Sequence, residues 1–321
     1  MRFYSLDGYY QDILNMFEYG KLSTEEALKK LSSKRKGKAI LMSPEKNSGE
    51  SIEDILSELD SLIGLANVKK LVREIQAYIH IQKRRKDEQL AADSLVLHMI
   101  FKGNPGTGKT TVARLLAKIF QRMGVLEKGH LIEIERADLV GEYIGHTAVK
   151  VREQIRQSIG GIMFIDEAYS LARGGEKDFG KEAIDAIVKG MEDYKDNLVL
   201  ILAGYKDEME LFLRSNPGLK SRFPIHIDFP DYTMEELLRI AERIVEKRDY
   251  QLSLSAKAKL AKIISYKRNE DGLNSGNARL VRNIIERAIR KQAVRLEAGG
   301  NYSRENLLML SSKDITEEDF S

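Results

Sequence analysis

Residues 103 to 110 read Gly-Asn-Pro-Gly-Thr-Gly-Lys-Thr. In that spacing, G-x-x-x-x-G-K-[ST], each fixed position has a use in binding a chain of phosphates. Gly106 and Gly108 let the backbone curl so that its N–H groups point inward, and a helix starting there adds about half a positive charge. Lys109 is then placed to reach β- and γ-phosphates, and the Thr110 hydroxyl to ligate Mg²⁺. The expected phosphate cradle is Asn104, Pro105, Gly106, Thr107, Gly108, Lys109, Thr110 and Thr111. A second string, "GIMFIDEAYS" from Gly161, carries four apolar residues up to Asp166. That pattern describes a buried strand delivering a carboxylate to the sheet edge where ligands of open α/β sheets sit. Asp166 is expected to hold Mg²⁺ through water, and Glu167 to polarise an attacking water as general base.

These residues need a strand–loop–helix frame, and the surrounding pattern supplies one. From about Leu95 to Asp228, short apolar runs ("LVLHMIFKG", "LIEIE", "GIMFID", "LVLILAG", "IHIDF") alternate with amphipathic segments centred on "TTVARLLAKIF", "AVKVREQIRQS", "KEAIDAIVKGM" and "DEMELFL". Five strands with interposed helices predict an α/β fold, a parallel sheet covered by helices on both faces. After "FPDYT" the strands stop, and three helical patterns predict a smaller helical domain. Ahead of the sheet, residues 9 to 31 carry apolar positions at helical spacing, with Ser23 and Glu26 as a capping box. The Ser-, Lys- and Gly-rich stretch that follows reads as a linker. The expected organisation is a helical arm and linker over 1–50, a nucleotide-binding domain over 51–230, a helical domain over 231–300 and a tail over 301–321.

Composition narrows the classes. The 321 residues suffice for roughly two domains. The 52 Lys and Arg against 49 Asp and Glu leave +3, spread over mixed-sign helical faces, which argues against a dedicated nucleic-acid binder. With no cysteine, disulfides, thiolate metal sites and cysteine nucleophiles drop out, and a reducing, cytoplasmic setting fits. The five histidines form no His-x-x-x-His pair. The longest apolar run, "LVLILAG", is strand-sized, so no signal peptide or membrane span is expected.

Among phosphate-loop classes, a GTPase needs an Asn-Lys-x-Asp element, and "AGYKDE" lacks the Asn. An ABC-type protein needs a Ser-Gly-Gly signature, which "SLARGGEKDFG" only faintly resembles. The segment from about 55 to 298 instead resembles the AAA+ family. "LIGLANVKKLV" is similar to the family's adenine-side entry and points to Ile63 and Gly64. "NPGLKSRFP" resembles its arginine-finger region and points to Arg222. "GNARLVRN" resembles its sensor-2 helix and points to Arg279. The strings "ADLVGEYIGHTA", "FIDEAYSLARGGEKDFGKEAID", "LILAGYKDEM" and "SRFPIHIDFPDY" are similar to the group that contains stage V sporulation protein K and the red-type rubisco activases. The resemblance implies an ATP- and Mg²⁺-dependent ATPase assembling as a homo-oligomer, a hexameric ring, with the finger reaching the neighbour's site. It also implies a central channel gripped by an aromatic-apolar-Gly triplet, here Tyr143, Ile144 and Gly145. The sensor-1 position, Asn in many members, aligns with Tyr205.

Three functions follow as expectations. The first is a ring that hydrolyses ATP to remodel a protein substrate through its pore, in sporulation. The second is a DNA-directed AAA+ motor or loader, drawing on "SSKRKGK" and on "QKRRK" at 82 to 86. The third is a scaffold that binds nucleotide without turnover, against which Glu167 speaks. A competing reading packs Tyr143 and Ile144 as local core.

Overall fold

The computed structural model describes residues 50–91, 96–143, 145–173, 178–271, 276–300 and 302–315. The expected arm and linker before residue 50, with Ser23 and Glu26, lie outside them, as does Ile144. The chain divides into Met1–Gly49 and Glu50–Ser321, and the second unit is the one described below.

Two helices lead into the sheet, α1 (Ile52–Ser61) and α2 (Ala66–Asp87). A capping box starts α1: the Ser51 amide donates to Asp54 Oδ2 at 2.8 Å, and the Asp54 amide to Ser51 Oγ at 3.1 Å. The alternating stretch then runs β1 (Met99–Gly103), α3 (Lys109–Arg122), β2 (Leu131–Ile134), α4 (Arg136–Leu139), α5 (His146–Ser158), β3 (Ile162–Ile165), a 3₁₀ turn (Ala168–Ala172), α6 (Gly180–Asp193), β4 (Val199–Gly204), α7 (Lys206–Ser215), α8 (Pro217–Arg222) and β5 (Ile225–Phe229). The five strands pair in parallel in the order β2-β3-β4-β1-β5.

The central strands β1, β3 and β4 are buried on both faces apart from the half-buried Lys102, as parallel sheets require, while the edge strands β2 and β5 keep exposed positions. Alternate residues of one strand therefore enter different cores: Phe101, Phe164, Ile201 and Ala203 pack with α1, α2 and α3, whereas Ile100, Met163, Ile165, Leu200 and Leu202 pack with α5, α6 and α7. Phe101 sits between Phe229, with ring centroids 4.9 Å apart, and Phe164, edge-on at 6.4 Å. This packing brings the carboxyl ends of β1, β4 and β3 side by side, which are the ends that carry the phosphate loop, Tyr205 and Asp166.

The helical domain comprises α9 (Met234–Glu246), α10 (Leu254–Asp271) and α11 (Asn277–Gly299). Residues 302–315, expected as a tail, form α12 (Arg304–Leu308) and β7 (Met309–Leu310), and β7 pairs in parallel with β6 (Gln251–Leu252). Two α11 side chains, the buried Gln292 and the half-buried Arg295, hold them. Gln292 Nε2 donates to the carbonyls of Asn306, Leu307 and Met309 at 2.9, 3.0 and 3.1 Å, and Arg295 reaches both oxygens of the buried Asp314 at 2.7 and 3.0 Å. A five-residue helix and two-residue strands are too short to show a periodicity, so the sequence offers no sign of them.

Candidate active site

The phosphate loop turns through left-handed backbone at Gly106 (φ +73°) and Gly108 (φ +98°). At Gly106 a side chain is excluded twice, because its Cβ would lie 2.3 Å from the Gly276 carbonyl oxygen and 2.9 Å from the Arg279 nitrogen. The helical domain thus rests directly on the loop. Three consecutive loop carbonyls accept hydrogen bonds from that side: Pro105 from Asn277 Nδ2 at 3.3 Å, Gly106 from the Ala278 amide at 3.2 Å, and Thr107 from the Tyr232 hydroxyl at 3.1 Å. In a trans peptide the C=O and the following N–H point opposite ways. Pinning these carbonyls toward the helical domain therefore turns the amides of Gly106, Thr107 and Gly108 to the other side of the loop, where a phosphate chain would lie. Helix α3 begins there with no side-chain cap among the described residues, so its first N–H groups remain available as anion donors.

Four polar residues lock this contact. Asn104 Nδ2 donates to both oxygens of Asp231 at 3.0 Å, and Asn277 Nδ2 donates to Asp231 Oδ1 at 2.8 Å. The Tyr232 amide donates to Asn277 Oδ1 at 3.1 Å. Asn277 is 2% exposed and left-handed (φ 44°), a backbone that Asn tolerates better than most residues. Asp231, Tyr232 and Asn277 were not singled out from the sequence, although "FPDY" and "GNAR" flank the predicted residues. Asn277→Ala is expected to weaken binding of a fluorescent ADP analogue about tenfold, since buried polar groups left unpaired cost about 1–3 kcal/mol. Unchanged affinity in a titration would show that the loop keeps its shape without this anchor.

The predicted charged residues gather around Lys109. Its ammonium donates to the carbonyls of Gly103 at 2.8 Å and Asn104 at 2.9 Å. Burial pushes its pKa below the ordinary lysine value; Asp166, Glu167 and Asp231 pull it back up, while Arg279 adds to the lowering. Asp166 and Glu167 are both exposed at the end of β3. Glu167 is left-handed, at φ 47° and ψ 43°, a conformation that costs a non-glycine residue about 1–3 kcal/mol and clusters at functional sites. Tyr205, at the end of β4, is raised above the usual tyrosine range by burial, with Glu167, Glu208 and Asp166 adding to the rise and Arg279 opposing it. Tyr169 is raised chiefly by burial and next by Glu167. Glu167, Tyr205 and Arg279 thus share one electrostatic environment.

On the adenine side, Ile63 and Gly64 join α1 to α2. A Cβ at Gly64 would lie 2.6 Å from Glu236 Oε1 and 3.3 Å from the Tyr232 ring, and one at Gly108 would lie 3.3 Å from the Tyr232 hydroxyl and 3.6 Å from Leu65 Cδ1. Gly64, Leu65 and Tyr232 therefore border the same loop. Burial, with Glu236 adding, pushes the Tyr232 hydroxyl up to about 12, so it stays a hydrogen-bond donor to Thr107 at any ordinary pH. Thr107 is fully buried and donates to the Asn104 carbonyl at 2.8 Å, a role inside the loop, while Thr111 is exposed on α3.

Three predicted residues belong to other segments. Arg222, the last residue of α8, donates through Nε to Glu192 Oε1 and through Nη1 to the Gly218 carbonyl, both at 2.9 Å, with Nη2 on Glu192 as well. Tyr143 is 66% exposed between α4 and α5, its ring edge-on to His146 at 5.5 Å. Gly145 follows at φ +83° as the cap of α5, with no atom within 4 Å of where its Cβ would be.

Comparison with known proteins accords with this arrangement. Residues 99–231 match the model of the AAA family, ATPases associated with various cellular activities, and residues 233–321 match the AAA lid domain. Stage V sporulation protein K of Bacillus subtilis (strain 168) is 54% identical over 266 residues, 83% of either chain. Protein CbbX of Cereibacter sphaeroides is 45% identical over 271 residues, 83% of this chain and 87% of that one. The chloroplastic ribulose bisphosphate carboxylase/oxygenase activase of Cyanidioschyzon merolae is 45% identical over 268 residues, 82% and 91% of the two chains. The RuvB Holliday junction branch migration motor of Thermotoga maritima shares the fold with a TM-score of 0.51 at 20% identity, over 80% of this chain and 69% of that one. With the AAA model over residues 99–231, the lid model over 233–321 and relatives 45–54% identical over more than 80% of its length, the chain belongs to the AAA ATPase family, in the group that contains stage V sporulation protein K and CbbX.

Proposed function

We propose that the chain assembles as a ring, with a hexamer as the expected size, and uses ATP hydrolysis to pull on a segment of another protein through its central channel. The observation that carries this reading is Tyr143, an aromatic residue 66% exposed at the tip of a loop in the same unit as the nucleotide site. Large aromatic side chains give an extended polypeptide a sequence-tolerant hold at little entropic cost.

The donor set fits ATP with Mg²⁺. Among the described residues no three His, Cys, Asp or Glu side chains stand together as a self-sufficient metal site. Thr110 and Asp166 would therefore share the cation with phosphate oxygens and water, as hard Mg²⁺ sites do. Bound Mg²⁺ supplies charge neutralisation on the phosphates. Lys109 holds the β- and γ-phosphates, Glu167 accepts the proton of the attacking water, and Arg279 brings the lid's positive charge to the loop. Arg222, paired with Glu192 within its own chain, is assigned to the site of the neighbouring subunit. The 54% identity to a sporulation protein supports a role in sporulation. No described helix is long and apolar enough to cross a membrane, and we place the ring in the cytoplasm.

The test is Tyr143→Ala. It is expected to keep basal ATP turnover but to lose stimulation by a natively unfolded protein such as casein. Stimulation of wild-type size in that variant would remove the pore reading.

A further inference from the structure

The loop bearing Tyr143 is wired to the catalytic strand end by one side chain, Arg136. This residue opens α4, the short helix directly before the loop. Its Nη1 donates to the Ser170 carbonyl and its Nη2 to Asp178 Oδ2. Ser170 lies in the 3₁₀ turn that follows Glu167, and its own amide donates to the Glu167 carbonyl at 2.8 Å. A single residue of backbone therefore separates the contact with Arg136 from the contact with the general base. The other arm of the fork reaches the start of α6, since Asp178 Oδ1 accepts from the Gly180 amide at 2.7 Å. The last turn of α6 carries Glu192, the partner of Arg222.

On the loop side, α4 is firmly held. Lys150 donates to the carbonyls of Ala137 at 2.9 Å and Val140 at 3.1 Å, and Leu139 is fully buried. The Gly141 amide donates to the buried Thr147 hydroxyl at 3.0 Å. The loop stem thus moves with α4, leaving its exposed tip, Tyr143, to follow. The ion pair with Asp178 is itself mostly shielded, the side chains being 31% and 20% exposed, so salt screens it less than a surface pair. Arginine suits the position because its fork makes both contacts at once, which a lysine ammonium cannot reproduce with the same planarity. At the far end of the link, Glu167 occupies left-handed backbone that surrounding contacts must maintain. Relaxation of that turn would displace Ser170, and with it Arg136.

We infer that Arg136 is a positioning residue that transmits the state of the Glu167 turn to the Tyr143 loop. The inference rests on the reading of this loop as the moving, substrate-facing element. Spatial continuity is not coupling in itself, so the test must read coupling. The chain contains no tryptophan, and Tyr143→Trp places a single tryptophan at the loop tip, which can be excited at wavelengths the tyrosines do not absorb. With that reporter, saturating ATP and saturating ADP are expected to give different emission spectra. Adding Arg136→Ala is expected to abolish the difference while fluorescent-ADP affinity stays the same. Arg136→Lys, which keeps the charge and should fold even if the alanine variant does not, is expected to reduce it. An ATP–ADP difference of full size in the Arg136 variants overturns the inference, as does the lack of any difference in the reporter protein with Arg136 present. Failure of the grip reading shows separately, as casein stimulation that survives Tyr143→Ala.

Discussion

Arg222→Ala is expected to lower ATP turnover by about 10³- to 10⁵-fold while leaving nucleotide affinity and assembly in place, the range seen when a guanidinium is withheld from a phosphoryl transition state. The charge that develops on the γ-phosphate during transfer needs a cation arriving from outside the loop, because Lys109 is already committed to its inner side. In this chain Arg222 is tied to Glu192 and the Gly218 carbonyl on the short helix α8, with its side chain 36% exposed. It is therefore fixed in direction and accessible to a second copy. Assembly should survive, because removing one guanidinium leaves most of a protein–protein interface untouched. Steady-state turnover together with sedimentation of the variant checks both halves. Wild-type turnover would move the finger to Arg214 or Lys220, the other cations of this segment.

Glu167→Gln should give the complementary result, with turnover down by about 10²- to 10⁴-fold and ATP retained, since a positioned general base contributes about that much. Glutamine keeps the size of the side chain and the left-handed backbone is unchanged, so the effect falls on proton transfer rather than on the loop. The Glu167 charge helps raise Tyr169 and Tyr205 and draws Lys109 back up, so all three lie within its electrostatic reach. Single-turnover measurements with radiolabelled ATP would show a stable enzyme–ATP complex. Rapid turnover in the glutamine variant would instead assign the base to another group.

The parts of this site legible in the sequence were those in which a short string meets one physical requirement. Gly106, Gly108, Lys109 and Thr110 are contiguous, and Asp166 with Glu167 closes an uninterrupted apolar run, so strand, turn and ligand chemistry could be read together. The sheet was legible for the same reason: β3 and β4 are buried at every position and read as continuous apolar runs. The anchor beneath the loop was not. Asn104 falls within the phosphate-loop string, but its partners Asp231, Tyr232 and Asn277 lie up to 173 residues away, and none of these three is unusual in its local string. Their meaning comes from a tertiary contact between loop and lid, which periodicity does not encode. Arg136 is equally silent in sequence, because it looks like one cation in a mixed-charge segment until Ser170 and Asp178 are brought to it. The lid-bound segment after residue 301 looks like a tail in sequence because its elements are held by Gln292 and Arg295, not by a pattern of their own.

The central claim is that the active site is shared between neighbouring subunits, and mixing two inactive variants tests it most directly. Arg222→Ala keeps Glu167, and Glu167→Gln keeps Arg222, so a head-to-tail ring made from both contains composite sites with each group intact. At equal amounts and random assembly, about one site in four is complete, because each site needs one particular neighbour pairing across a heterologous interface. The account predicts that ATP turnover, negligible in either variant alone, rises on mixing toward that fraction of wild type. Turnover that stays at the level of the separate variants, in a mixture shown to co-assemble, would contradict it.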